Sequence, residues 1–226
     1  MAERSKRYQE CKKKYDSKKQ YPLKEAVELL KAFTGTKFDE SVEVVVKLGV
    51  DPKRSDQMLR GSLSLPKGIG KELRVIVFTT GERAQKAKEA GAREAGAEEL
   101  IKKVEEGWMD FDVAIATPDM MRQIGKLGRV LGPQGKMPSP KSGTVAEDVE
   151  RTVKEFKAGK IEYRTDAGGN VHALVGKLSF PTEALVENIQ SFINHIVASR
   201  PASAKGTFVQ KVSVSSTMSP GIKLAV

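Results

Sequence analysis

Thiol and imidazole chemistry is almost absent from this 226-residue chain, which has one cysteine and two histidines. The single Cys11 excludes an intramolecular disulfide and leaves no set of thiols for a tetrahedral zinc site. It reads as an inert thiol on a charged helix. Long apolar runs are missing too. No stretch approaches the roughly 20 apolar residues that a membrane span needs, and the Lys-rich start from Met1 to Tyr21 has no apolar segment of the secretory kind. A soluble cytoplasmic protein with no membrane partner is expected.

Catalytic constellations are equally scarce. There is no H-E-x-x-H and no Cys/His pattern with metal spacing. Gly135-Lys136 fails as a phosphate loop, because Val130 stands where the first glycine belongs and Met137 follows the lysine. Gly68-Ile69-Gly70 fails as a dinucleotide fingerprint, since Leu73 replaces the third glycine. His195, in an expected helix, reads as a surface or packing residue. No enzyme, cofactor or metal is expected. A nucleotide-binding or phosphotransfer role for the middle of the chain is the competing reading, and the failed spacings argue against it.

What the chain does have is positive charge, unevenly placed. Its 39 Lys and Arg against 29 Asp and Glu give a net charge of +10. Residues 67–159 carry only +2 of it, leaving +8 for the two ends. Between Met120 and Ala146 lie Arg122, Lys126, Arg129, Lys136 and Lys141 with five glycines, three prolines and no acid. Such a run suits a polyanion, and nucleic acid is the first partner to consider.

Periodicity divides the chain into two styles. Pro22 to Phe33 has helical spacing, and Val42, Val44, Val46 and Leu48 alternate as in a half-buried strand; Met58 to Leu65 is a second strand candidate. From Leu73 the grammar changes to short, wholly apolar strands (Leu73 to Phe78, Val113 to Ala116) alternating with helices at Glu82 to Ala90, Glu98 to Glu106, Met120 to Val130 and Val145 to Phe156. The first style then returns. Ile161 to Arg164 and Val171 to Leu178 read as a hairpin around Asp166 to Asn170, followed by a long helix from Pro181 to Ala198 and a strand from Gly206 to Ser216. The expected fold is an α+β split domain built from both chain ends, residues 1–66 and 160–226. It carries an inserted three-layer α/β, Rossmann-like domain, residues 67–159.

RNA is read by shape, by its 2′-hydroxyls and by stacking, so candidate readers are compact, polar and rigidly held. Three segments fit: Lys37-Phe38-Asp39-Glu40-Ser41, Thr165 to His172, and Ser215-Ser216-Thr217-Met218-Ser219-Pro220. Taken singly, Phe38 reads sooner as core and the hydroxyls as turn chemistry. The stretches Lys37 to Val44, Leu48 to Pro52, Gly107 to Asp112, Ala116 to Met121, Leu127 to Pro133 and Ser215 to Met218 closely resemble, in order, the family of the first protein of the large ribosomal subunit, the stalk protein, in its bacterial form. The match starts at the basic Glu3 to Tyr8.

The resemblance implies a protein, monomeric when free, whose split domain binds large-subunit ribosomal RNA of the mobile stalk near the exit site. It further implies help in releasing deacylated exit-site tRNA and repression of the protein's own messenger RNA. Position by position it places the RNA surface on Lys37, Phe38, Asp39, Ser41, Asp166, Gly168, His172, Ser215, Thr217 and Met218. The basic residues from Arg122 to Lys141 are left as a secondary RNA contact. Ser219 stands where the family usually has glycine.

Overall fold

The computed structural model describes residues 5–33, 35–54 and 56–225; Glu3 and Arg4 of the basic start lie outside them. The chain divides into two compact units, Met1–Gly70 with Ile161–Val226, and Lys71–Lys160. α1 (Lys6–Lys13) is capped by Ser5, whose Oγ accepts from the Tyr8 amide, and ends in Lys12 and Lys13, cations suited to the negative end of the helix dipole. It buries Cys11. α2 (Leu23–Lys31) buries Ala26, Val27 and Leu30 at helical spacing. β1 (Ser41–Leu48) shows the expected alternation, and β2 (Arg60–Ser64) follows.

The second unit contains β3 (Val75–Phe78), α3 (Glu82–Glu89), β4 (Glu94–Gly96), α4 (Glu98–Glu105) and β5 (Val113–Ala116), with the parallel strands in the order β4-β3-β5. Successive residues of β3 serve opposite faces. Ile76 and Phe78 pack with Leu100 and Val104 of α4, whereas Val75 and Val77 pack with Ala87 of α3 and with Val153 and Phe156. The expected single helix over Met120 to Val130 is broken into a 3₁₀ turn at Pro118–Met120, α5 (Met121–Ile124), a second 3₁₀ turn at Gly125–Leu127 and α6 (Gly128–Leu131). Gly125 and Gly128 weaken a continuous α-helix there, while burial of Met120, Ile124, Leu127 and Leu131 keeps the turns on the core. α7 (Val149–Ala158) starts later than Val145, because Asp148 caps it through the Arg151 amide (3.1 Å) and Val145 instead bridges Ala116.

Returning to the first unit, β6 (Lys160–Arg164) and β7 (Asn170–Lys177) turn back on each other around Asp166 to Asn170 as expected, but only through one antiparallel bridge, Thr165 to Val171, and not as a paired hairpin ladder. β6 pairs with β2, and β7 joins the antiparallel sheet β7-β1-β8-β9, where β8 is Val209–Ser216 and β9 is Ile222–Leu224. Thr165 causes the change of sheet: its amide donates to the Leu59 carbonyl (2.9 Å) and its Oγ1 accepts from the Leu59 amide (3.1 Å). α8 (Thr182–Ala198) packs against α2 and β7, burying Leu185, Ile189, Phe192 and Ile196. His195 lies on its flank, with Nε2 3.0 Å from the Tyr163 hydroxyl, in a packing role.

Asn188 is fully buried in α8, where its amide group donates to the carbonyls of Gly68 (2.9 Å) and Val175 (2.8 Å) and its Oδ1 accepts from the Lys67 amide (3.1 Å). Asn188→Leu keeps the bulk and leaves three main-chain groups without this partner. Chemical denaturation should show a loss of roughly 2–4 kcal/mol; an unchanged midpoint would refute the role.

Candidate nucleic-acid interface

β1 is antiparallel to β8, so the start of one meets the end of the other: Val42 lies opposite Ser216, and Glu43 opposite Ser215. Beyond the ladder the two segments stay joined. The Thr217 amide donates to the Ser41 carbonyl and the Ser41 amide donates to Thr217 Oγ1, both at 3.0 Å. Lys177 Nζ donates to Ser41 Oγ (2.9 Å). Asp39 accepts from the Ser179 amide (3.1 Å) and hydroxyl (2.8 Å), so its carboxylate is engaged in holding the segment. Two large apolar side chains project from this frame, Phe38 at 55% and Met218 at 49% exposure. The structure thus brings Lys37, Phe38, Asp39, Ser41, Ser215, Thr217 and Met218 to one end of the sheet.

Under that end lies Glu40, the one residue of the Lys37 to Ser41 segment with no position of its own in the sequence-derived RNA surface. Glu40 is buried, and its Oε2 accepts from Ser216 Oγ (2.5 Å) and from the Met218 amide (3.0 Å). Arg7 Nη1 approaches its Oε1 at 3.5 Å. Burial pushes the Glu40 pKa up; the hydrogen bonds from Ser216, Met218 and Thr36 and the charge of Arg7 outweigh it, and the net direction is down. A signal existed: Glu40 falls in the same alternating row as Val42, Val44 and Val46, which is a core row. Ser219 occupies its position without strain, since no described non-glycine residue has a positive φ; its Oγ accepts from the Ser216 amide (2.9 Å) and closes the turn.

Asp166 and Gly168 are elsewhere. They sit at the opposite end of β1, where the Leu48 amide donates to the Gly169 carbonyl and Lys47 Nζ bonds the Gly168 carbonyl. Six residues separate Ser41 from Lys47, roughly 20 Å of strand. His172 lies between, exposed on β7 opposite Val45, which in turn faces Ser213 of β8. The sequence-derived site residues therefore fall in two clusters joined by a partly exposed sheet face.

The basic segment of the second unit presents Arg122, Lys126, Arg129 and Lys141 to solvent, without ion pairs among the described residues. Lys136 differs: its Nζ donates to the carbonyls of Phe111 (2.7 Å) and Met109 (3.1 Å) and lies over the Phe111 ring. Among the described residues no group of three His, Cys, Asp or Glu is placed to hold a metal, and no helix is long and apolar enough to cross a membrane.

Hydrogen bonds from the Asn170 side chain and amide, and from the Gly168 amide and His172, overcome a small burial effect and bring the Asp166 pKa down to about 2. The ionised form is the bonded one, so the loop's stabilisation is present above the ordinary carboxylate range of about 4 and is lost as pH falls towards 2. An NMR titration should place the Asp166 midpoint near 2, with the Gly168 and Asn170 amide shifts moving in step. A midpoint of about 4 would contradict the geometry.

Residues 30–220 match the model of the ribosomal protein L1p/L10e family. The chain is also 55% identical over 224 residues to the large ribosomal subunit protein uL1 of Kosmotoga olearia, covering 99% of this chain and 97% of that one. A match of this length, running through both segments that meet at Thr217 and both halves of the basic run, means that the chain belongs to the ribosomal protein L1p/L10e family.

Proposed function

We propose that the polar end formed by Lys37 to Ser41 and Ser215 to Met218 is the main site at which this protein holds ribosomal RNA of the large subunit's mobile stalk. The protein is a ribosomal, RNA-binding constituent and not an enzyme, and its place is the large subunit in the cytoplasm. The observation that carries the site reading is the exposure of Phe38 and Met218 on a hydrogen-bonded strand end. An apolar side chain kept in water beside hydroxyls suits a ribose-and-base surface. The rings and thioether lie against sugar and base faces, while Ser41, Ser215 and Thr217 exchange hydrogen bonds with 2′-hydroxyls. Asp166, Gly168 and His172 then meet a second stretch of the same RNA.

In this reading the unit made from both chain ends is the specific RNA-binding domain. The inserted α/β unit adds a salt-sensitive contact through Arg122, Lys126, Arg129 and Lys141, directed at ribosomal RNA or at deacylated tRNA leaving the exit site. Lys136 contributes less, being turned onto main-chain carbonyls. An element of the protein's own messenger RNA that copies the ribosomal site would compete for the same surface, giving translational repression.

Binding to a stalk RNA fragment tests the reading. Thr217→Ala and Met218→Ala should each cost about 1–3 kcal/mol, roughly 5- to 150-fold in affinity, with the fold intact by circular dichroism. Alanine at Arg129 or Lys126 should cost less at high salt and flatten the salt dependence by up to about 0.9 in slope per phosphate contact. Parental affinity in both strand-end variants would reject the site.

A further inference from the structure

Met218 raises a question of placement. β8 ends at Ser216, so the Thr217-Met218 peptide lies beyond the ladder, and Met218 is half exposed. Its main chain is nevertheless fully held. The amide donates to Glu40 Oε2 (3.0 Å), and the carbonyl accepts from Arg7 Nη2 (3.0 Å). Arg7 and Glu40 are themselves an ion pair at 3.5 Å. Both polar main-chain groups of Met218 are thus gripped by a single charge pair, one member from α1 and the other from the residue preceding β1. A second tie from the same end of the chain lies three residues on, where the Tyr15 hydroxyl donates to the Gly221 carbonyl (3.2 Å).

We infer that Arg7 is a positioning residue for RNA recognition: with Glu40 it presets the Thr217-Met218 peptide, so that α1 acts on the site without being part of the contact surface. The inference rests on the site reading above. Its guanidinium is directed at a carbonyl and a carboxylate within the protein, and the buried Glu40 carboxylate neutralises its charge, so its pull on a phosphate is small. Planarity matters, because one guanidinium spans both acceptors through different nitrogens, which a lysine ammonium on a single point cannot reproduce in the same geometry. Holding the peptide before RNA arrives removes an ordering cost that would otherwise be met at binding.

The test compares the full-length parent with Arg7→Ala, Arg7→Lys and Thr217→Ala against the stalk RNA fragment at several salt concentrations. Arg7→Ala should weaken binding on the order of tenfold while leaving the slope of affinity against salt unchanged. Arg7→Lys should recover only part of the loss, and amide exchange at Met218 should quicken in both. A fall in slope of about 0.9 in Arg7→Ala would show a direct phosphate contact and overturn the inference. Parental binding by Arg7→Ala alongside a weakened Thr217→Ala would also overturn it, leaving the site reading intact. Parental binding by Thr217→Ala would remove the site reading and the inference with it. Should Arg7→Ala not fold, Arg7→Lys carries the same comparison, with parental affinity again the overturning result.

Discussion

The pairing of β1 with β7 on one side and β8 on the other is the constraint on which the first unit depends. Its register joins Val42 to Gly176 and to Ser216, so residues far apart in the chain become neighbours only through this strand. Closing such distances costs chain entropy, and the return is a central strand whose inward row, Val42, Val44, Val46 and Leu48, is completely covered. The two candidate contact clusters inherit their positions from it. One lies where β1 begins and β8 ends, the other where β1 ends and β7 begins.

Polar groups then fix what the ladder leaves loose. Asp39 holds Ser179, Lys177 holds Ser41, and Glu40 collects a hydroxyl, an amide and a guanidinium in one buried place. A carboxylate with that many donors is kept charged despite burial, and removing any one donor leaves the others around an under-satisfied charge. The exposed apolar side chains can stay exposed because this network, and not their own packing, orders the backbone beneath them. At the far end Asp166 plays the corresponding part with neutral donors in a solvent-facing turn.

Much of this was legible in the sequence where it depends on local period. Val113 to Ala116 emerges as β5 with the same bounds, and the long helix expected from Pro181 to Ala198 emerges as α8 with the same last residue. Partner choice was not legible, because alternation marks a strand's faces and says nothing about its neighbours; hence β2 and β6 leave the main sheet, and β6 and β7 share a turn and one bridge but no ladder. β4 and β9 are three residues each, too short to show any period. In the site, Phe38, Thr217 and Met218 could be proposed from type and order, whereas Arg7 has no local cue and Glu40 looks like a surface acid until its row is noticed. Charge counting is blind to direction for a related reason: the Lys136 tip turns to carbonyls of its own protein, which composition does not reveal.

The division into a unit made of both termini and a unit made of one continuous stretch has a consequence for synthesis. Residues 71–160 can close their core as soon as they have all been made, since every strand and helix in that sheet comes from the same stretch. β1, made earlier, must wait with both edges unpaired until β7 and β8 are translated, and the Met218 peptide follows β8. The nascent chain therefore has no assembled candidate contact end until β8 has been made, whereas the inserted unit can already be folded by then.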